Sequence, residues 1–174
     1  MDTFVEQIVG KRKEGKEWAI IVGVSAAFVI VSTLLLMFIP IISFLLIAGA
    51  AYGTWWLITS QNIEFEYSVT NGDIDIDQIV ARRKRKRIVS VSGAKIESLA
   101  PYDAASFGSR PFDRKVVAAP SLREEGLWCF TYHSKKNGNT IVVFQPEQRV
   151  LDALIAGLPR LVQIDVNRKL SAAQ

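Results

Sequence analysis

Cysteine and histidine are almost missing from this chain: Cys129 and His133 are its only examples. One cysteine excludes an intramolecular disulfide and any multi-cysteine metal site within a single chain, and one histidine is equally limiting. Charge is missing over a long stretch as well, because the forty-six residues 18–63 contain no Asp, Glu, Lys or Arg. A soluble domain of this size has no use for such a run. At about 1.5 Å rise per residue, one crossing of a roughly 30 Å hydrocarbon layer takes about 20 residues, so the run is long enough for two. Pro40 interrupts it near the middle, in a segment with no polar residues for a long loop. The expectation is a transmembrane helical hairpin over residues 18–60, with spans at 18–39 and 41–60 joined tightly at the proline.

No ionisable side chain lies inside either span, which argues against a proton relay, ion path or substrate site there. The charged segment before the run imitates a secretory signal, but the run suffices for two spans and no convincing cleavage site follows, so the first span reads as an uncleaved anchor. Lys11, Arg12, Lys13 and Lys16 precede the first span and the hairpin tip is uncharged. The positive-inside rule then places the N-terminus, and after two crossings residues 64–174 also, in the cytoplasm of a cell-membrane protein. Trp18, Trp55 and Trp56 fall near the cytoplasmic ends and read as headgroup-level membrane anchors. Gly49 and Gly53, four apart in the second span, match the spacing that lets helices approach closely. Gly23, Ala26 and Ala27 offer a facing patch, and packing within the hairpin is favoured over dimerisation.

Residues 1–17 read as a cytoplasmic amphipathic leader. Phe4, Val5, Ile8 and Val9 fall on one face of a short helix that Asp2 or Thr3 would cap, suited to lying on the bilayer. From Ile63 onward the apolar period changes from helical to alternating. Ile63, Phe65, Tyr67 and Val69 make one strand, Asn71-Gly72 a two-residue hairpin turn, and Ile74 and Ile76 the return. Asp73, Asp75 and Asp77 alternate with these and read as a solvated strand face rather than a calcium loop. Gln78 stands where an EF-hand requires Gly, and Lys84 where it requires Glu. Further strands are expected around Val89–Val91, Ile96–Leu99, 115–119, 127–134 and 140–144. An irregular loop separates them at 102–114, and Pro146 and Glu147 open a helix whose buried stripe is Val150, Leu151, Leu154, Ile155 and Leu158. Cys129 and His133 share a strand face but lie about 13 Å apart at roughly 3.3 Å per residue, too far for a catalytic dyad.

The 21 Lys and Arg exceed the 17 Asp and Glu because of one run, Arg82, Arg83, Lys84, Arg85, Lys86 and Arg87. It reads as a basic turn between strands. Three readings are open: a solvated face balancing the acidic strand, a contact for anionic lipid headgroups or a protein partner, or a nucleic-acid patch. Membrane tethering favours the first two.

Seven strand candidates, an Asn-Gly hairpin, a basic turn and a closing amphipathic helix resemble a pleckstrin-homology-like (PH-like) barrel of the bacterial, membrane-anchored kind. The opening residues 1–9, the apolar hairpin, the segment 71–77 and the basic run are also similar to an uncharacterised family of small Gram-positive bacterial membrane proteins. The resemblance implies an α+β architecture and no activity: the transmembrane hairpin, then a small antiparallel β-barrel closed by a helix over residues 61–160, then a C-terminal tail at 161–174. The sequence holds no nucleophile–base pair, metal cluster or phosphate loop, so the expectation is a non-enzyme without a cofactor. Its expected partners are the lipid bilayer, anionic lipid headgroups and another membrane protein. The leading reading is a membrane-anchored interaction domain; the alternative is a structural or assembly subunit of a membrane protein complex.

Overall fold

A computed structural model describes residues 4–104 and 111–172. These residues group into two compact units. One contains the sheets and the C-terminal helices, the other residues 12–63 with 80–84.

The second unit is built on two apolar helices, α1 (Gly15–Phe38) and α2 (Pro40–Thr59). Glu14 and Glu17 close a capping box that starts α1 three residues earlier than the apolar pattern alone suggests, with Glu14 N donating to Glu17 Oε2 at 3.1 Å. Pro40 takes the first position of α2, where its missing N–H costs nothing, and Ile39 alone links the helices. Both helices are long and apolar enough to cross a membrane. The half-buried positions of α1 include Ile21, Val24, Ser25, Phe28, Ser32 and Leu35; those of α2 include Ile47, Ala50, Gly53 and Thr54, with Ser43 fully buried. These follow helical spacing and mark the seam between the helices. Most of the small residues expected in that seam are not in it. Gly23, Ala26, Ala27 and Gly49 are exposed, and a Cβ built on Gly23, Gly49 or Gly53 meets nothing within 4 Å. Ser25, Ser32, Ser43, Ala50 and Thr54 supply small side chains in the seam instead, beside Ile21, Val24, Phe28, Leu35 and Ile47, and Gly49 lies outside it.

The first unit is a pair of four-stranded sheets. The strands are β1 (Phe4–Gly10), β2 (Ile63–Thr70), β3 (Asp73–Val80), β4 (Lys84–Val91), β5 (Ile96–Pro101), β6 (Arg114–Ala118), β7 (Trp128–Ser134) and β8 (Gly138–Phe144). One sheet has the order β1-β2-β3-β4 and the other β5-β7-β8-β6, with β6 and β8 parallel. All seven strands expected after the hairpin are present. Two sheets, rather than the closed antiparallel barrel expected, are what the described residues form.

The eighth strand corrects the leader. Residues 4–10 pair antiparallel with β2 from Phe4↔Thr70 to Gly10↔Glu64, so they are an edge strand and not an amphipathic helix. Phe-Val-Glu-Gln-Ile-Val supports either period; the open edge of β2 and the inward Gln7 decide it. Gln7 Nε2 donates to Gln145 O (3.0 Å) and Gln7 Oε1 accepts from Glu147 N (2.7 Å), satisfying two backbone groups beside the start of helix α3 (Gln148–Ala156). The cap residues proposed for the leader helix, Asp2 and Thr3, lie outside the described residues, as do 105–110 of the expected middle loop.

Between the sheets Tyr67, Val69, Ile74, Ile76, Leu99, Phe130, Val142 and Phe144 are fully buried, closed on one side by Val150 and Leu154 of α3. Phe144 sits edge-on to both Tyr67 and Phe130, at centroid distances of 5.7 and 5.4 Å. The Tyr67 hydroxyl donates to Ala118 O and accepts from Gln145 N (3.3 Å), and burial pushes its pKa up to about 12. Beyond α3 the expected tail is a further helix, α4 (Arg160–Ala172), which packs near β5 and buries Val166. Gly72, Gly93 and Gly157 meet backbone to backbone where the Asn71-Gly72 turn, a short 3-10 turn and the end of α3 converge. Asn71 and Gly72 both have positive φ, as the type I′ reading requires.

Candidate functional site

The basic run is not one turn. Ala81, Arg82 and Arg83 form the turn and residues 84–87 are already strand β4. Strand alternation therefore separates the run's side chains.

Arg85 and Arg87 lie on the acidic face of the first sheet. Arg87 grips Asp77 with two hydrogen bonds, Nε to Oδ1 at 2.8 Å and Nη2 to Oδ2 at 3.2 Å, and reaches Asp75 at 2.8 Å. Arg85 pairs with Glu66 and stands 4.0 Å from Asp77. Glu66 and Asp77 are buried beneath these guanidinium groups. The hydrogen bond from Arg87 holds the Asp77 carboxyl below its ordinary range, against the opposing effect of burial. Glu66 goes the other way: burial and a carboxyl–carboxyl hydrogen bond with Glu6 raise its pKa more than Arg85 lowers it. These arginines complete the sheet surface.

Arg83 belongs to the helical unit. Its Nη2 donates to Thr59 Oγ1 at 2.9 Å and, at 3.5 Å, to Trp56 O and Ser60 Oγ at the C-terminal end of α2. Its guanidinium carbon lies 5.6 and 5.7 Å from the ring centroids of Trp55 and Trp56. A cation here complements the negative end of the helix dipole and stacks on aromatic faces. The turn is further fixed by Ala81 N donating to Asn62 O at 2.7 Å and closed by Arg83 N donating to Val80 O at 3.0 Å. Trp18 carries Lys13 6.0 Å above its ring at the start of α1. The three tryptophans are all exposed. Arg82, Lys84 and Lys86 are exposed also. The sequence alone missed the Arg83 contact; the signal for it was an arginine next to a turn and a Trp-Trp pair at a helix end, with no spacing rule to join them.

Residues with chemical potential elsewhere are otherwise engaged. Cys129 is buried in a small second cluster with Ala119, Leu127, Ile141 and Val143, on the face of the second sheet away from the main core. His133 is exposed, with Nδ1 2.8 Å from Asn139 Oδ1. A cavity of about 310 Å³ is lined by Glu97, Pro111, Phe112, Thr131 and Asn139. Within it Thr131 is bonded to Ser98, and Asn139 to His133 and Asp113. Among the described residues no group of three or more His, Cys, Asp or Glu is placed to hold a metal.

A family model described as bacterial PH-like domain (DUF6106) matches residues 1–164, nearly the whole chain. The chain belongs to this family. The match runs through β1, the apolar hairpin, both sheets and α3, so the hairpin and the strand before it are parts of the PH-like family pattern and not appendages to it. No curated protein and no solved structure matches the chain.

Proposed function

We propose that this PH-like protein is a membrane-anchored, non-catalytic interaction domain. The hairpin α1–α2 spans the cell membrane with both ends of the chain cytoplasmic, and the basic turn faces an anionic surface or partner. The observation that carries this reading is Arg83: it ties the turn between β3 and β4 to the tryptophan-bearing end of a helix long enough to span. The end of the hairpin that holds Trp18, Trp55 and Trp56 is also the end rich in Lys and Arg, as expected for a cytoplasmic headgroup layer. The reading is tested by extracting membranes with alkaline carbonate and by labelling single cysteines placed at Phe38 and at Arg149, in a Cys129→Ser background, from either side of the membrane. Retention in the pellet, with Arg149 labelled only from the cytoplasmic side, supports it. Release into the supernatant or external labelling of Arg149 refutes it.

A second reading, a structural subunit of a membrane complex, is favoured by the open space at the α2 glycines. Gly49 and Gly53 keep the spacing of a close helix contact, Gly49 is exposed, and a Cβ built on either meets nothing within 4 Å. Disulfide or bifunctional crosslinking from Ala48 and Tyr52 distinguishes the two readings: a discrete crosslinked species supports the subunit role, and a monomer at every concentration refutes it.

A further inference from the structure

The two four-stranded sheets have β1, β4, β5 and β6 at their edges, and three of these carry features that keep a further strand from adding. β4 holds the consecutive cations Lys84, Arg85, Lys86 and Arg87, and Arg114 Nη2 donates to its Ile88 carbonyl at 3.3 Å. β5 shifts register between Ile96 and Ser98 and ends on Pro101. β6 is five residues long, opens with Arg114 and Lys115, and gives its Ala118 carbonyl to the Tyr67 hydroxyl. Basic charge, bulges, proline and brevity are the usual means of blunting a sheet edge. β1 has none of these: it runs seven residues in unbroken register with β2, contains no Lys, Arg or Pro, and carries Glu6 as its one charge.

A strand paired on one side only turns every second N–H and C=O outward. Among the described residues, the backbone of β1 bonds to no backbone but that of β2. Its open side is also apolar. Phe4 and Ile8 are 62% and 59% exposed on the face that carries Glu6, while Gln7 on the opposite face is buried and tied to residues 145 and 147. A Cβ built on Gly10 meets nothing within 4 Å. β1 is thus held in place from the core side and left bare on the other.

The charge on this bare face is of one sign near the edge. The register sets Phe4, Glu6 and Ile8 beside Thr70, Ser68 and Glu66, with Glu64 next along, and neither β1 nor β2 contains a Lys or Arg. Arg85 reaches Glu66 from β4. Glu6 bonds the same Glu66 carboxyl, a contact between two acids that needs a proton to hold it. Opposite charges in cross-strand pairs stabilise a sheet, and like charges directly opposite destabilise it. A second copy of β1 would bring another acid to this face and no base, so the charge selects a different partner.

We propose that β1 is a docking edge for an extended segment of a partner protein, which adds as a strand with aliphatic residues beside Phe4 and Ile8 and a Lys or Arg beside Glu6. The main chain supplies the pairing, and the alternate side chains supply the selectivity. The segment reads aliphatic-x-basic-x-aliphatic in either strand direction, because Phe4 and Ile8 lie symmetrically about Glu6. The proposal rests on the interaction-domain reading above and gives it a partner that meets the sheet and not the basic run.

The test titrates the full chain, in neutral detergent micelles at low salt, against the fluorophore-labelled peptide Thr-Val-Thr-Lys-Thr-Val-Thr, with anisotropy as the readout and empty micelles as the blank. The wild type should bind this peptide several-fold more tightly than its Lys→Glu version, and Glu6→Lys should invert the order. The inversion includes a gain of binding, which a damaged fold cannot mimic. A peptide of the same sequence N-methylated at every residue has no donors for a ladder and should not bind. Ile8→Lys installs the basic charge that β1 lacks and should abolish binding, with amide exchange in β2 reporting that β1 is still paired. A wild type that does not bind, equal binding of the N-methylated peptide, or an unchanged order in Glu6→Lys overturns the docking edge. A dimer of the wild-type chain that Ile8→Lys converts to monomer makes the occupant a second copy and overturns the partner segment. Peptide binding by a chain that alkaline carbonate releases from membranes supports the edge and overturns the anchoring alone.

Discussion

Gly157 offers a test in which two physical effects predict opposite signs. It follows α3 at φ −91° and ψ −5°, a conformation any L-residue adopts. On backbone grounds alone, Gly157→Ala should stabilise the fold by about 0.4–1 kcal/mol by restricting the unfolded chain. The packing opposes this. A Cβ at Gly157 would overlap the backbone of Gly72, and one at Gly93 would come within 2.8 Å of Gly157 O. The neighbours are main-chain atoms, so no side chain can rotate aside. Gly72 is itself fixed by its φ of 86°, and Gly93 N by donating to Asp73 Oδ1 at 3.1 Å. Overpacking of this kind costs about 1–3 kcal/mol, and without rotamer relief the net effect should be a loss of about 2 kcal/mol, on the order of 10 °C in melting temperature. The assay is thermal unfolding of the full chain in detergent micelles by far-UV circular dichroism. Gly126→Ala is the control, since Gly126 has φ 72° but open space around it and should lose only about 1 kcal/mol from backbone strain. A Gly157→Ala protein as stable as the wild type, or no worse than Gly126→Ala, would refute the packing argument.

Other perturbations have equally definite signs. Tyr67→Phe removes a donor to the buried Ala118 carbonyl and an acceptor from Gln145 N, and should cost about 1–3 kcal/mol with no change in secondary structure; a neutral effect on the melt would count against that bridge. Arg87→Gln strips Asp77 of the bond that depresses its pKa. That bond stabilises the fold above the ordinary value of 3.8 and is lost as pH falls through the depressed one, so the variant should be less stable at pH 7, by about 1 kcal/mol after discounting for the exposed guanidinium, and its acid unfolding should begin at higher pH. Glu66→Gln should do the reverse. With its folded pKa raised above 4.5, ionised Glu66 costs stability as pH climbs through that window and at all higher pH, so the variant should gain at pH 7 and match the wild type in acid; a loss at pH 7 would mean that the Arg85 pair outweighs burial. Finally, a fragment of residues 62–174 lacks β1 and the Gln7 bonds to Gln145 and Glu147. It should show faster amide exchange in β2 and at the start of α3 than the full chain, with partial recovery on adding a peptide of residues 2–11; equal exchange would make β1 dispensable.

What was legible in the sequence follows from how local each signal is. The helical hairpin, its break at Pro40 and the seven strands after it are written in composition and period, and each was readable within a window of about ten residues. Residues 4–10 were not, because Phe-Val-Glu-Gln-Ile-Val fits a helical face and a strand equally well. The choice is made by β2, more than fifty residues away, and by the backbone at 145 and 147 that Gln7 satisfies. The glycine pair at 49 and 53 misled for the opposite reason. Its spacing says that a helix can approach, not which helix does, and the seam with α1 went to Ser43, Ile47, Ala50 and Thr54 instead.

The basic run shows how far a charge cluster can be read without its fold. Six consecutive cations look like one patch, and their sum dominates the net charge of +4. Once residue 84 is strand, alternation alone sends 85 and 87 to the face that Asp75 and Asp77 occupy on β3, so half of the division was implicit in two periods read together. The other half depends on the end of α2, which no periodicity connects to residue 83. A run that is uniform in sequence is thereby divided between charges that close a sheet, Arg85 and Arg87, and a charge that binds a helix end, Arg83. The basic run's contribution to stability should therefore follow which of its residues is replaced and not how many.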